Sequence, residues 1–480
     1  MRHPRILLAL LATAIAGGAV AKASAQTSLH LQPVFGNGGV LRSSQLWIDP
    51  ADHNDSDNDA IAWASFMLPQ DSKVTQVRWV GQALPPLGFR ISFFRQDPNT
   101  VAVQPDMFAP GSGPISEQLV LNPTVQPAVN GLFLFTADLP TPVNLDGGKR
   151  HFISVVGRMP VPYTSWQWAQ GTGGYGGTFW WMRGMHMYFG LGDDRAFELL
   201  GAPLPTTPTA EDSFDGPPRA SLAGYAGGTG WTGSWSDQGS DTVTAMGGAG
   251  LAYPGLRTSP GAAVTAPGNS AYPMSVYARS FGALPAGTSK VYVSFLMRAD
   301  AGFGVGGGLA FGNPPYAMSA GSPMGAYLFG LMVSEGLGSY TNVPLVEGQT
   351  NLVVVRISKN TPQAGITYRM WVNPVVSQPE PAAPDAVFAL SQVNSLPTSL
   401  RISNGGGCTT DEIRVGLTWA SVLPQAPVCV GDLHMDGTVD GADLGVLLAE
   451  WGTAGADLDG DGVTGGSDLG LLLAAWGPCP

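Results

Sequence analysis

The sequence predicts a mainly β protein, two β-sandwich (jelly-roll-like) domains followed by a small helical module. Three observations carry this. The 480 residues include 66 Gly and 40 Pro and only 12% are charged, a composition that favours short strands joined by turn-rich loops over long amphipathic helices. Strand-length runs of β-branched and aromatic residues, bounded by Gly, Pro, Asn or Asp, recur through most of the chain. Near its end, one acidic pattern is written twice, and each copy is followed by apolar residues at helical spacing.

The chain opens with Arg2 and Arg5, an apolar run over 6–20, and the small residues Ala23-Ser24-Ala25. This order predicts a secretory signal over 1–25 with cleavage near Ala25, and hence a secreted or cell-surface location. No later stretch is long and apolar enough to predict a membrane span. From Gln26 on there are 20 basic against 35 acidic residues. That balance argues against a nucleic-acid partner.

Residues 26–201 read as the first sandwich. The runs 74–81 (VTQVRWVG), 88–95 (GFRISFFR), 131–136 (GLFLFT) and 151–156 (HFISVV) are its candidate strands. Residues 52–59 pack four Asp and two Asn together, which suits either a solvated turn or a cation-stabilised loop. Trp166, Trp168, Trp180 and Trp181 are candidates for stacking sugar rings, because an exposed aromatic face meets the C–H face of a pyranose. Trp166 and Trp168 share one face of a strand by alternation. The competing expectation is that most of these rings fill the core.

A Pro/Thr-rich stretch at 202–210 predicts a stiff linker, and 424–428 a second one. Between them, 211–423 contains the runs 290–298 (KVYVSFLMR), 351–358 (NLVVVRIS) and 366–372 (ITYRMWV). It opens on Asp212-Ser213-Phe214-Asp215 and closes on Asp411-Glu412-Ile413-Arg414-Val415-Gly416. These ends resemble the concanavalin A-like, or laminin G-like, jelly roll, which implies that the closing strand pairs beside the opening one. That group includes lectins, adhesion modules and glucanases, so the resemblance does not choose an activity. A retaining glucanase needs two carboxylates about 5–5.5 Å apart. No alternating acids supply them, Asp411 and Glu412 being adjacent. The five His after residue 25 lack zinc spacing, no Gly-x-Ser-x-Gly elbow occurs, and the glycine run at 304–308 lacks the Lys of a phosphate loop. No catalytic residue is assigned.

The last segment, 429–480, holds nine acids and no Lys or Arg. Asp432, His434, Asp436, Thr438, Asp440 and Asp443 stand at positions 1, 3, 5, 7, 9 and 12 of one loop; Asp457, Asp459, Asp461, Val463, Gly465 and Asp468 repeat them 25 residues later. Gly437 and Gly462 occupy position 6. Ca²⁺ takes six to eight oxygens, and a loop that turns sharply at glycine can deliver alternate side chains and the position-7 carbonyl to one ion. Each loop then runs into an apolar stripe: Leu444, Leu447, Leu448, Trp451, and Leu469, Leu472, Leu473, Trp476. There is little room for an entering helix. This loop–helix tandem resembles the type I dockerin module, an EF-hand relative. The resemblance implies two Ca²⁺ ions, a cohesin-like partner, and the carboxylates named above as ligands. His434 departs from the pattern, as does Gly465, which has no side chain.

Cys429 and Cys479 bracket this module and are the expected disulfide; Cys408 is left single. The leading expectation is a secreted, non-catalytic, calcium-binding protein whose sandwiches take polysaccharide or cell-surface glycan. The alternatives are a polysaccharide-degrading enzyme component and a purely structural surface protein.

Overall fold

A computed structural model of the chain describes residues 26–48, 58–160, 164–239, 244–266, 275–304, 306–312, 316–323, 327–333, 336–360, 363–426, 429–434 and 438–479. The expected signal segment, residues 52–57 of the acidic loop, and Asp436 lie outside these. The architecture is mostly β, with two pairs of sheets and a small helical part at the C-terminal end.

The first pair of sheets is built from residues 27–203. One sheet runs in the order Thr27–Gln32, Phe197–Pro203, Ser72–Gly81, Gln167–Trp168, Arg42–Ser43, with Phe133–Leu145 also on Ser72–Gly81 and Thr124–Pro127 beyond it. The facing sheet runs Met187–Leu191, Thr178–Met182, Ala60–Met67, Gln45–Trp47, Arg150–Met159, Phe89–Arg95, Ser116–Val120. Along Ser72–Gly81 alternation sends Val77 and Trp79 inward, and a bulge between Val74 and Gln76 returns Val74 to the same face, where they meet Phe89, Phe135 and Ile153 in the core. The run expected at 131–136 continues to Leu145 through Pro140 and Pro142, and its register against Ser72–Gly81 shifts between Val74 and Gln76. Proline lacks an N–H, so a strand accepts it where the ladder is interrupted.

The second pair spans 210–416. Its eight-stranded sheet centres on Cys408–Gly416 and Lys290–Ala299, flanked by Thr350–Lys359 and Ile366–Val372. The opening strand Ala210–Asp212 pairs antiparallel with the closing one, Ala210 opposite Val415 and Asp212 opposite Ile413. Val293, Phe295, Val353, Val355, Ile413 and Val415 fill the space toward the other sheet.

Much of the stretch at 202–210 is used as structure. Ala202 and Pro203 end a strand, Leu204 donates its N–H to Asp71 O (2.8 Å), and Thr209 donates to Val415 O (2.7 Å). Ala426 likewise donates to Gly255 O (3.0 Å). The two sandwiches meet directly: the Lys290 ammonium lies 3.0 Å from Asp71 Oδ2 and 2.6 Å from Asp146 Oδ1.

After the four-residue helix α1 (Trp419–Val422) come α2 (Gly441–Ala449) and α3 (Gly466–Ala474). Asp440 caps α2, its carboxylate accepting the N–H of Ala442 at 2.7 Å, while Gly465 at the same place in the second copy offers none. Leu447 and Leu472 are fully buried against Val439 and Ala456, each burial contributing about 1.5–3 kcal/mol. Both helices stop before the tryptophan that ends each apolar stripe. Leu448, Trp451, Leu473 and Trp476 are exposed.

Candidate functional site

The two acidic loops are held by matching contacts, each made to the other copy. Thr438–Val439 of the first loop pairs with Gly477–Pro478, which follows α3. In the second, Thr464 exchanges hydrogen bonds with Gly452 (2.9 Å) and Thr453, which follow α2. Each loop is therefore held by the chain that leaves the other copy's helix, and the disulfide Cys429–Cys479, with Cα atoms 5.4 Å apart, ties the module's ends together.

In the second loop, ligand oxygens of Asp457, Asp459 and Asp468 all lie within 4.8 Å of one another. Backbone donors aim them. Asp468, fully buried at the start of α3, accepts from Leu458 (2.7 Å) and Asp459 (3.1 Å) through Oδ1 and from Gly465 (2.6 Å) through Oδ2. The Gly465 hydrogen bond is the largest of the influences that hold its carboxyl below the usual range. Asp457 accepts from Gly460, Asp461 and Gly462 at 2.7–3.1 Å. Asp461 accepts from Val463 at 2.9 Å. Gly462 has φ +92°, a left-handed turn that a side chain would strain.

The first loop brings together Asp432, His434 and Asp443 in the same way. Asp443 is buried, accepts from Asp440 N (2.8 Å) and His434 N (3.0 Å), and is held below its ordinary range by those bonds, Asp440 first. His434 Nδ1 stands 3.5 Å from Asp443 Oδ1. Thr438 and Asp440 lie on the same loop, and Asp436 falls outside the described residues. Clustered ionised carboxylates fixed by N–H groups suit a hard divalent cation. A neutral imidazole suits it less well.

The four tryptophans part ways. Trp166 and Trp168 do share a face, but it is the core face. They are 1% and 0% exposed, and their indole N–H groups donate to Gln82 O (3.2 Å) and Ala196 O (2.9 Å). As ring platforms for a ligand they are corrected to core residues, because they pack edge-on against Phe89, Phe135 and Phe197 between the two sheets, where close packing leaves no face open. Trp180 is half-buried against the core and donates to Ser43 O at 2.8 Å. Trp181 is half-buried on the outer side, paired across the strands with Tyr188 and with the Arg183 guanidinium 5.8 Å from its ring. Tyr188 and Phe108, both exposed, extend this aromatic surface, their ring centroids 5.0 Å apart. Phe108 sits on a loop 80 residues before Tyr188, so no local pattern marked it.

Asp411 and Glu412 are fully buried. Asp411 accepts from Leu251 N (2.7 Å) and Glu412 N (2.8 Å), and burial pushes it up to about 8. Glu412, raised by burial too, bonds Ser213, Ser259 and Arg414. Glu412 has φ +52° where the register against Lys290–Ala299 shifts, so strict alternation fails here. These contacts tie the closing strand to the loops around it.

No family model matches the chain, and no curated protein matches it. Among solved structures, a carbohydrate esterase from the Shiga toxin-encoding bacteriophage phi24B aligns at 9% identity and a TM-score of 0.26, covering 44% of this chain and 99% of the other. The tandem CBM22 domain of Xyn10C from Paenibacillus barcinonensis aligns at 10% and 0.21, covering 83% and 99%. A truncated AlyQ with CBM32 and alginate lyase domains aligns at 10% and 0.21, covering 82% and 100%. Among the described residues no helix is long and apolar enough to cross a membrane.

Proposed function

We propose that this is an exported, calcium-loaded glycan-binding protein, attached to a cohesin-like partner through its C-terminal module. The observation that carries the reading is the convergence of Asp457, Asp459 and Asp468, repeated by Asp432, His434 and Asp443, at the heads of two helices whose loops are cross-braced by each other's copy. Eight loop carboxylates repel one another until cations sit among them, so calcium binding and helix formation are linked. The exposed Leu448 and Trp451, repeated by Leu473 and Trp476, supply the apolar contact for the partner. Small residues at loop positions 10 and 11, Gly441-Ala442 and Gly466-Ser467, leave that contact few charged anchors. The sandwich face carrying Trp181, Tyr188 and Phe108 is the aromatic surface offered to sugar rings.

Calorimetric titration of the segment 428–480, followed by far-ultraviolet circular dichroism, tests the calcium reading. Two bound ions and a gain of helix support it. Identical helix content in chelator and in millimolar calcium overturns it. Affinity electrophoresis against polysaccharides, read beside reducing-end release, tests the glycan reading and separates binding from hydrolysis.

A further inference from the structure

The chain is acidic overall, yet the seam between its two sandwiches is strongly basic. A cleft of about 590 Å³ opens there, within the range of about 300–1,000 Å³ common for ligand sites. Six of the chain's 23 Lys and Arg residues line it: Arg95, Lys149, Lys290, Arg356, Lys359 and Arg369. Asp146 is the one acidic residue in the lining.

The placement is built by sheet register from both sides. In the second sandwich Arg356 stands directly opposite Arg369 on neighbouring strands. In the first, Arg95 stands opposite His151. The like charges of Arg356 and Arg369 directly across a ladder are destabilising, whereas burial pushes His151 down to about 4 and leaves it neutral opposite Arg95. Part of the charge is neutralised internally, since Lys290 is bridged by Asp71 and Asp146, Lys149 lies 3.6 Å from Asp146, and Arg356 meets Glu380. Lys359 and Arg369 form no ion pair with any described residue. Burial, followed by the neighbouring Arg356 and then Arg95, pushes the Arg369 guanidinium below its ordinary value. Two further polar groups in the lining are also left over: Asn144, 8% exposed, has Oδ1 without a hydrogen-bond partner among the described residues, and so does the buried Arg356 Nε.

The geometry points to this cleft as a binding site for an acidic oligosaccharide, a chain bearing uronic carboxylates or sulfate esters. The inference rests on the glycan-binding reading and adds to it a second place, apart from the Trp181 face, with its own ligand class. Guanidinium groups take carboxylate or sulfate oxygens through paired N–H donors. Asn144, Asn360 and Thr367 supply donors and acceptors for ring hydroxyls. The lining contains no Trp, Tyr or Phe, so recognition here is by charge and hydrogen bonds. Single-stranded nucleic acid, which is held by aromatic stacking along a basic groove, finds no platform.

The test uses the chain from Gln26 onward, titrated with short oligomers of polygalacturonate, sulfated carrageenan oligomers, neutral cello-oligomers and a single-stranded oligonucleotide. Each titration is run in calcium and again in chelator. The expected result is binding of one or both acidic sugars, in either condition, weakening as salt rises. The better of the two identifies the anionic group. Arg369→Gln and, separately, the exposed Lys359→Gln should each weaken binding about tenfold, while the ligand-free melting temperature of Arg369→Gln is unchanged or raised because the Arg356 repulsion is relieved. Binding that needs calcium, equal affinity for the oligonucleotide, or full affinity in both variants overturns the inference. Binding of neutral sugars alone also overturns it but leaves the glycan reading standing; no sugar binding at all removes both.

Discussion

Replacing Lys290 by Met tests what holds the two sandwiches together. The Lys290 side chain is 11% exposed, and its ammonium lies 3.0 Å from Asp71 Oδ2 and 2.6 Å from Asp146 Oδ1, whose side chains are 22% and 31% exposed. At an effective dielectric of about 20, each attraction is worth roughly 5 kcal/mol before desolvation. Breaking a buried pair costs about 3–5 kcal/mol because a charge is left unpaired, and the partial exposure of both carboxylates lowers this to about 2–3 kcal/mol. Burial alone would raise the Asp146 carboxyl, yet Lys290 outweighs it and holds that group far below its ordinary 3.8. A depressed carboxyl contributes stability above its unfolded value and loses it as pH falls below that value toward the folded one. Lys290→Met should therefore lower the melting temperature at pH 7 and open 202–210 to proteolysis, and the difference should shrink below about pH 4 as the depressed Asp146 carboxyl of the unchanged chain loses its advantage. Removing all three charges, with Asp71→Asn and Asp146→Asn added, should recover much of the loss. Scanning calorimetry at pH 7 and pH 3 reads both effects. A variant that melts with the unchanged chain at pH 7, or a deficit just as large at pH 3, refutes the reasoning.

Burial raises Asp411 from 3.8 to about 8, so its contribution to folding is complete below about pH 4 and is lost as pH rises through 8; the second sandwich should melt progressively lower from pH 5 to 9, and Asp411→Asn, which stays neutral, should flatten that slope. His434→Asp gives the first loop a hard oxygen ligand and should tighten its calcium about tenfold, read by calorimetry; no change would place His434 outside the coordination sphere. Reducing the Cys429–Cys479 bridge, which spans 50 positions, should cost the module about 4 kcal/mol in the chain-entropy treatment, seen as a lower melting point in both calcium and chelator. Trp181→Ala should weaken retardation by neutral polysaccharides, whereas Trp166→Ala should destabilise the first sandwich by about 3–5 kcal/mol.

By itself the sequence determined the features carried by chain neighbours. Alternating and apolar runs located the central strands of both sandwiches, such as 74–81 within Ser72–Gly81 and 366–372 as Ile366–Val372. The spacing of Asp457, Asp459 and Asp468 sufficed to place three carboxylates on one loop, since a loop closed at glycine brings alternate residues together whatever surrounds it. Tertiary structure decided everything that depends on which face is covered. Alternation put Trp166 and Trp168 on one side of the chain, but only the packing of two sheets made that side the core. The same holds for Leu447 and Leu448, adjacent in one stripe, of which the first is buried and the second exposed. Arg95 and Arg369 are 274 residues apart in the chain, and nothing local marks either. They line one cleft because strand register sets Arg95 opposite His151 and Arg369 opposite Arg356, and the Lys290 bridge docks one sandwich on the other, a long-range outcome that no periodicity within the chain encodes.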